Sequence, residues 1–315
     1  MSAAYQDERN VTYRPLAVYF VILVALCTGF VVGARALGKQ GVYLAQGYML
    51  TPALAAVITR LFFYKPRFRD AKLRLGRSSD YLRFWLFSLG ITVLSYVVYT
   101  LLGSISWDFS GKLFLEQLAQ QFAMSGESME DSLPPGMTPQ TMLWLFVIGG
   151  LTLFNLLPGI IQGFGEEFGH RGFMFPALYR IKPWVAFVVG GLIWYAWHWP
   201  LALVFPPAPE SPLWQTALSL IAGAVGSICT MIYLAYAYVK SDSIWVAALA
   251  HIAMNNAARS FAYFVVVREQ WLADLGLALT MILVAFALYV TKGLDLFERH
   301  LERQESSDAA AEPSR

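Results

Sequence analysis

Three short stretches of this sequence carry side chains that can do chemistry, and each is embedded in apolar residues. The first is Gly163-Phe164-Gly165-Glu166-Glu167-Phe168-Gly169-His170-Arg171-Gly172. The second is Trp194-Tyr195-Ala196-Trp197-His198-Trp199-Pro200. The third is His251-Ile252-Ala253-Met254-Asn255-Asn256, with Arg259 beyond it. A carboxylate beside a histidine can hold and deprotonate a water, a role that Glu166 and His198 fit. A second histidine with an amide can donate hydrogen bonds to a developing oxyanion, a role that His251 and Asn255 fit. Adjacent carboxylates raise each other's pKa unless a cation intervenes. Arg171 can supply that cation to Glu167 and leave Glu166 as the base. Neither serine nor cysteine stands in a recognisable nucleophile motif, so the set suits amide hydrolysis by activated water rather than covalent catalysis.

Helical spacing must bring these groups together. Residues four apart share a helix face. That pairs Glu167 with Arg171, Glu166 with His170, Trp194 with His198, and His251 with Asn255 and Arg259. Ionisable groups in apolar helices are costly in lipid and point to function. Three such helices are expected to face one another around a wet site inside a bundle.

Composition sets the medium. The chain has 315 residues, of which 57% are hydrophobic, 15% aromatic and 14% charged. Soluble domains carry roughly 25% charged residues, so this chain cannot cover a water-facing surface of its size. The expected fold is an all-α polytopic transmembrane bundle. Its candidate spans are eight apolar runs, 16–34, 42–63, 84–104, 142–165, 184–205, 214–239, 243–267 and 271–292. Each is judged against the roughly 20 apolar residues that a span needs. The run from Leu16 reads as a retained span rather than a cleaved leader.

The loop after the second run holds Lys65, Arg67, Arg69, Lys72, Arg74, Arg77 and Arg83, whereas the opposite loops hold only Arg35, Lys39, Lys112 and Arg268. The positive-inside bias therefore sets both termini on the cytoplasmic side. The basic loop 65–83 is expected against anionic headgroups.

Residues 1–302 are expected to form one transmembrane domain and 303–315 a disordered polar tail. The outer loop 105–141 should carry a short interfacial helix over Phe114–Phe122 and a mobile stretch from Met124 to Gln140. Cys27 and Cys229 fall within apolar runs and read as core residues, not as a disulfide. No inverted repeat of the transporter kind is visible. Gly165 and Gly169 form a small-x-x-x-small pair that reads as close helix packing. Pro158-Gly159 should kink the fourth run. His170 and Arg259 read as structural, and His300 is a tail residue.

The motifs Glu166-Glu167-x-x-x-Arg171, Trp194-x-x-x-His198 and His251-x-x-x-Asn255, in that order on successive apolar helices, resemble the CAAX protease and bacteriocin-processing (CPBP) family of intramembrane proteases. The type II CAAX prenyl endopeptidases are among its members. The resemblance covers about residues 142–267. It implies that Glu166 is the general base with His198, that His251 and Asn255 stabilise the oxyanion, and that Glu167 and Arg171 support them. Trp194 departs from the Phe often found there, and His170 from an aromatic residue.

The cofactor stays open between none and a divalent metal such as zinc, for which Glu166, His198, His251 and Asn255 would be the ligands. The sequence lacks the His-Glu-x-x-His helix of zinc hydrolases, which favours the metal-free reading. The implied partners are membrane lipids and a membrane-attached peptide or protein substrate, with no nucleic acid. The implied place is a multi-pass position in the plasma membrane with the site toward the cytoplasm. The alternative is a non-catalytic scaffold or immunity factor of the same fold.

One relation resists a simple ladder of spans. A straight fourth helix from Met142 puts Glu166 about 36 Å along its axis, at the inner edge. His198, counted from Trp184, lies about 21 Å toward the outer side. Contact requires that the fourth helix begin later than Met142, or that residues 173–186 form a juxtamembrane helix. The second repair is the one expected.

Overall fold

A computed structural model describes residues 3–38, 41, 44, 47–64, 68, 70–125, 128, 133–152, 156–205 and 211–297. The 303–315 tail and most of the 126–132 stretch lie outside the described residues. The chain is mostly helical. In order come α1 (Ala3–Ala36), α2 (Thr51–Phe63, entered through a tight turn at Tyr48–Leu50), α3 (Ser78–Leu101) and β1 (Ile105–Trp107). Then follow α4 (Lys112–Ser125), α5 (Pro139–Leu151), α6 (Leu156–Gly169), α7 (Phe175–Ile181) and α8 (Gly190–His198). The chain closes with α9 (Leu213–Ser241), α10 (Ile244–Ala262), β2 (Val265–Val267) and α11 (Gln270–Val290).

Among the described residues, five helical segments are long and apolar enough to cross a membrane: Tyr13–Ala36, Ser78–Leu101, Val185–Leu203, Leu213–Ser241 and Gln270–Val290. Two shorter apolar helices, Tyr48–Phe63 and Pro139–Leu151, fall in the second and fourth of the expected runs. The outward faces of the long helices are leucine, valine and phenylalanine, with Val21, Leu86, Leu101 and Phe286 all exposed. Such a surface suits hydrocarbon rather than water.

The fourth run, expected as one span over 142–165, is not one continuous helix. α5 stops at Leu151, Thr152 is extended, and α6 starts afresh at Leu156. The interruption lies upstream of Pro158-Gly159 instead of at it. Pro158 falls in the first turn of α6, where its missing N–H costs no helical bond. The short helix α7 then carries the chain toward α8. The break and α7 together remove the 36 Å ladder that kept Glu166 away from His198.

α10 occupies the centre of the bundle because its inner face is small. Ala247, Ala248, Ala250, Ala253 and Ala257 are all buried, and small residues let helix backbones approach closely. A Cβ on Gly163 of α6 would come within 3.0 Å of the Ala248 carbonyl oxygen. Ser88 of α3 donates to the Ala250 carbonyl at 2.8 Å and lies 2.9 Å from the Tyr233 hydroxyl of α9. Three helices are thereby tied at the level just before His251.

The loop ends are closed by a short strand pair that the sequence does not announce and by a helix that it does. β1 and β2 pair antiparallel, with Ile105 opposite Val267 and Trp107 opposite Val265. α4 extends the helix expected over Phe114–Phe122 and seats Phe114 and Leu118 against Leu143, Val147 and Phe264. On the other side, part of the basic loop is held by the protein. Lys72 pairs with Asp242 at 3.0 Å, Arg74 pairs with the same carboxylate, and Arg83 reaches Asp80 at 3.4 Å. Those side chains are committed to intramolecular partners, which narrows the headgroup contact expected of this loop. Both cysteines are buried and free.

Candidate active site

Glu166 and Glu167 lie in the last turn of α6, and Arg171 in the π-helical turn His170–Met174 that follows it. All three side chains are buried, Glu166 at 4% exposure and the other two at 0%. Burial of this charge needs a partner for each group. Arg171 Nη1 donates to Glu167 Oε1 at 2.9 Å. The guanidinium also lies over the Trp194 ring at 4.5 Å. The pairing deduced from the four-residue spacing is therefore present, and Glu166 is outside it.

α8 brings Trp194 and His198 to this pair. The Trp194 indole N–H donates to Glu166 Oε2 at 3.2 Å. His198 Nδ1 lies 2.8 Å from the Trp194 carbonyl oxygen. A carbonyl only accepts, so Nδ1 carries the proton and Nε2 of the neutral ring is the lone-pair nitrogen. That nitrogen lies 3.8 Å from Glu166 Oε2, too far for a direct hydrogen bond and suited to a bridging water. The end of α8 is fixed from behind. Tyr48 donates to the Trp197 carbonyl at 2.6 Å, and Trp197 Nε1 donates to Thr51 Oγ1 at 3.2 Å.

α10 supplies the third face. His251 is buried, and its Nδ1 lies 2.8 Å from Glu167 Oε1, the same oxygen that receives Arg171. A carboxylate accepts, so Nδ1–H is donated and the Nε2 edge is left for other partners. The His251 ring meets Trp194 edge-on at 5.7 Å. Asn255 lies one turn further along α10 with an exposed side chain. Among the described residues it makes no hydrogen bond to the other members of the set. Arg259 is exposed beyond it.

Three helices thus converge: α6 with Glu166 and Glu167, α8 with Trp194 and His198, and α10 with His251. Asn255 is on the same helix but outside the bonded cluster. Sequence reasoning took Trp194 only as an aromatic partner of His198. Its indole N–H bonds the carboxylate and its carbonyl bonds the histidine, so it links the two. The signal was the residue type, because Phe has no N–H to give. His170 is fully buried and packs edge-on against Trp197 at 5.3 Å.

The donor set does not make a metal cage. Among the described residues no three His, Cys, Asp or Glu side chains gather at ligand spacing. A zinc site wants three firm protein ligands plus water, and these residues do not present them. The metalloendopeptidase reading thus finds no support among the described residues.

No match was found among curated proteins. Residues 137–257 match the family model described as Type II CAAX prenyl endopeptidase Rce1-like. The matched stretch runs from just before α5 to within α10, and it contains every residue of the cluster. Five apolar helices with an Rce1-like domain suggest an integral membrane protein. The match supports assignment of this chain to the CPBP, or CAAX protease, family of intramembrane proteases.

Proposed function

We propose that this protein is an intramembrane endopeptidase that cuts a peptide bond in a membrane-attached peptide or protein, with Glu166 as general base assisted by His198. The observation that carries this reading is the 3.8 Å gap between Glu166 Oε2 and His198 Nε2. A water between two acceptors donates both its protons and turns its lone pairs outward, toward an approaching carbonyl carbon. As it attacks, Glu166 takes a proton. The tetrahedral oxyanion needs donors already in place. His251, oriented by Glu167 through Nδ1, would donate from Nε2 as the doubly protonated ring. The accessible amide of Asn255 would donate beside it once substrate closes the site. Glu167 and Arg171 act through His251 and take no part in the bond change. Collapse of the intermediate expels the amine, which takes the proton from Glu166.

The same reading holds the chain as an eight-span protein with both termini and the site toward the cytoplasm, in the plasma membrane. The basic loop 65–83 supports the orientation. Residues 1–302 would then be one domain. A prenylated C-terminus of the C-a-a-X kind is the substrate class that the family match favours.

The rival reading, a non-catalytic scaffold of the same fold, keeps the cluster and removes the chemistry. Purified full-length protein in lipid vesicles, given an internally quenched peptide ending in a prenylated C-a-a-X sequence, separates the two. Cleavage by wild type that disappears in Glu166→Ala, with the variant folded and abundant, supports the protease. Wild-type biological function retained by Glu166→Ala supports the scaffold.

A further inference from the structure

Arg60 is a lone charge in the apolar helix α2, 2% exposed, and it does not touch the reacting groups. Its guanidinium bridges two distant pieces of chain. Nη1 meets Asp70 Oδ1 at 2.6 Å and Nη2 meets Oδ2 at 3.3 Å, a forked pair. Nη2 also donates to the Gly172 carbonyl at 2.8 Å. Tyr64, Phe168 and Phe173 surround the guanidinium at 5.0, 6.0 and 5.6 Å.

The sequence explains why Gly172 wants this partner. In a continuing α-helix its carbonyl would bond the amide four residues on, and that residue is Pro176, which has no N–H. The π-helical turn His170–Met174 joins α6 to α7 around this point. Arg171, the residue before Gly172, is the one that grips Glu167, and Glu167 grips His251. The loop that carries Asp70 also secures the start of α10. The Ile244 amide donates to the Lys72 carbonyl at 3.0 Å, Ser243 Oγ to the Arg74 carbonyl at 2.7 Å and Trp245 Nε1 to the Leu73 carbonyl at 3.0 Å. One loop therefore holds both the exit of the helix bearing Glu166 and Glu167 and the entry of the helix bearing His251.

We propose that Arg60, anchored by Asp70, is a positioning residue: its bond to the Gly172 carbonyl holds the π-turn so that Arg171 and Glu167 set the His251 ring. The consequence for catalysis rests on the reading of Glu166, His198 and His251 as the reacting centre.

The test uses the full chain in lipid nanodiscs, labelled with 15N at the histidine rings, with His251 assigned by its loss in His251→Gln. Asp70→Asn keeps the shape of a partly exposed side chain and removes the ion pair. Arg60→Lys keeps the charge and loses the fork that reaches both partners. The proposal expects both variants to shift the His251 ring resonances while the folded fraction stays at wild type. It also expects kcat on the quenched prenyl peptide to fall about ten- to a hundredfold, with KM little changed, as a small misplacement does.

Unmoved His251 resonances in both folded variants overturn the proposal, whatever the rate does. Moved resonances with wild-type kcat overturn its catalytic half. If Glu166→Gln cleaves normally, or wild type cuts nothing, the functional reading fails instead, and the spectra alone decide whether the clamp sets His251.

Discussion

His251 and Arg171 share one oxygen: Glu167 Oε1 lies 2.8 Å from His251 Nδ1 and 2.9 Å from Arg171 Nη1. The carboxylate thereby couples two helices and neutralises a guanidinium that is wholly buried. Removing one member of such a pair leaves an uncompensated charge. Glu167→Ala is expected to lose about 3–5 kcal/mol of stability. Glu167→Ala combined with Arg171→Ala should lose clearly less than the sum of the two single changes, because the stranded charge is gone. Denaturant or thermal unfolding of the three variants in the same detergent measures this.

Trp194 joins Glu166 to His198 through one side-chain and one backbone bond. Trp194→Phe retains a ring against His251 and Arg171 and keeps the carbonyl that orients His198. Only the N–H donor to Glu166 is lost. Hydrogen bonds to charged groups are worth about 1.5–3 kcal/mol. A fall in kcat of roughly ten- to a hundredfold follows if that bond serves the transition state. Slower peptide cleavage by the purified, folded variant, with an unfolding midpoint lowered by no more than the loss of that one bond, is the expected result.

The glycines of α6 and of the π-turn after it separate packing from chemistry. A Cβ on Gly169 would lie 2.4 Å from the Pro52 backbone, and one on Gly165 2.6 Å from the Met49 carbonyl oxygen. At Gly172 the nearest atom would be 3.5 Å away. Gly165→Ala and Gly169→Ala are expected to destabilise by about 1–3 kcal/mol through overpacking. Gly172→Ala should stay near wild type. Melting temperatures of the three variants measure the difference.

Much of this site was legible because lipid makes polar groups conspicuous. Glu166, Glu167, His198 and His251 stood out as ionisable residues in apolar runs, and the four-residue spacing gave the Glu167–Arg171 pair. Helical spacing also gave the packing role of Gly165 and Gly169. What stayed hidden depends on interruptions and on tertiary partners. The end of α5 at Leu151 leaves no long polar signal, since most residues on either side of it are apolar. The π-helical turn after Gly169 has no period of its own to read. The indole bond of Trp194 and the reach of Arg60 to Gly172 each join residues far apart in sequence, which no local pattern encodes. Asn255 was placed on the His251 face by its spacing, and the helix keeps it there, but spacing cannot say whether a side chain meets a partner.

The central claim is that Glu166 and His198 act on one water as a unit, and a double-mutant cycle in kcat tests it most directly. Wild type, Glu166→Gln, His198→Gln and the double variant would be compared as folded protein in vesicles on the same quenched peptide. The account predicts that each single change lowers kcat by about 10²–10⁴-fold, and that the double variant falls no more than roughly threefold below the worse single one. Multiplicative losses, or a Glu166→Gln variant that cleaves at the wild-type rate, would contradict it.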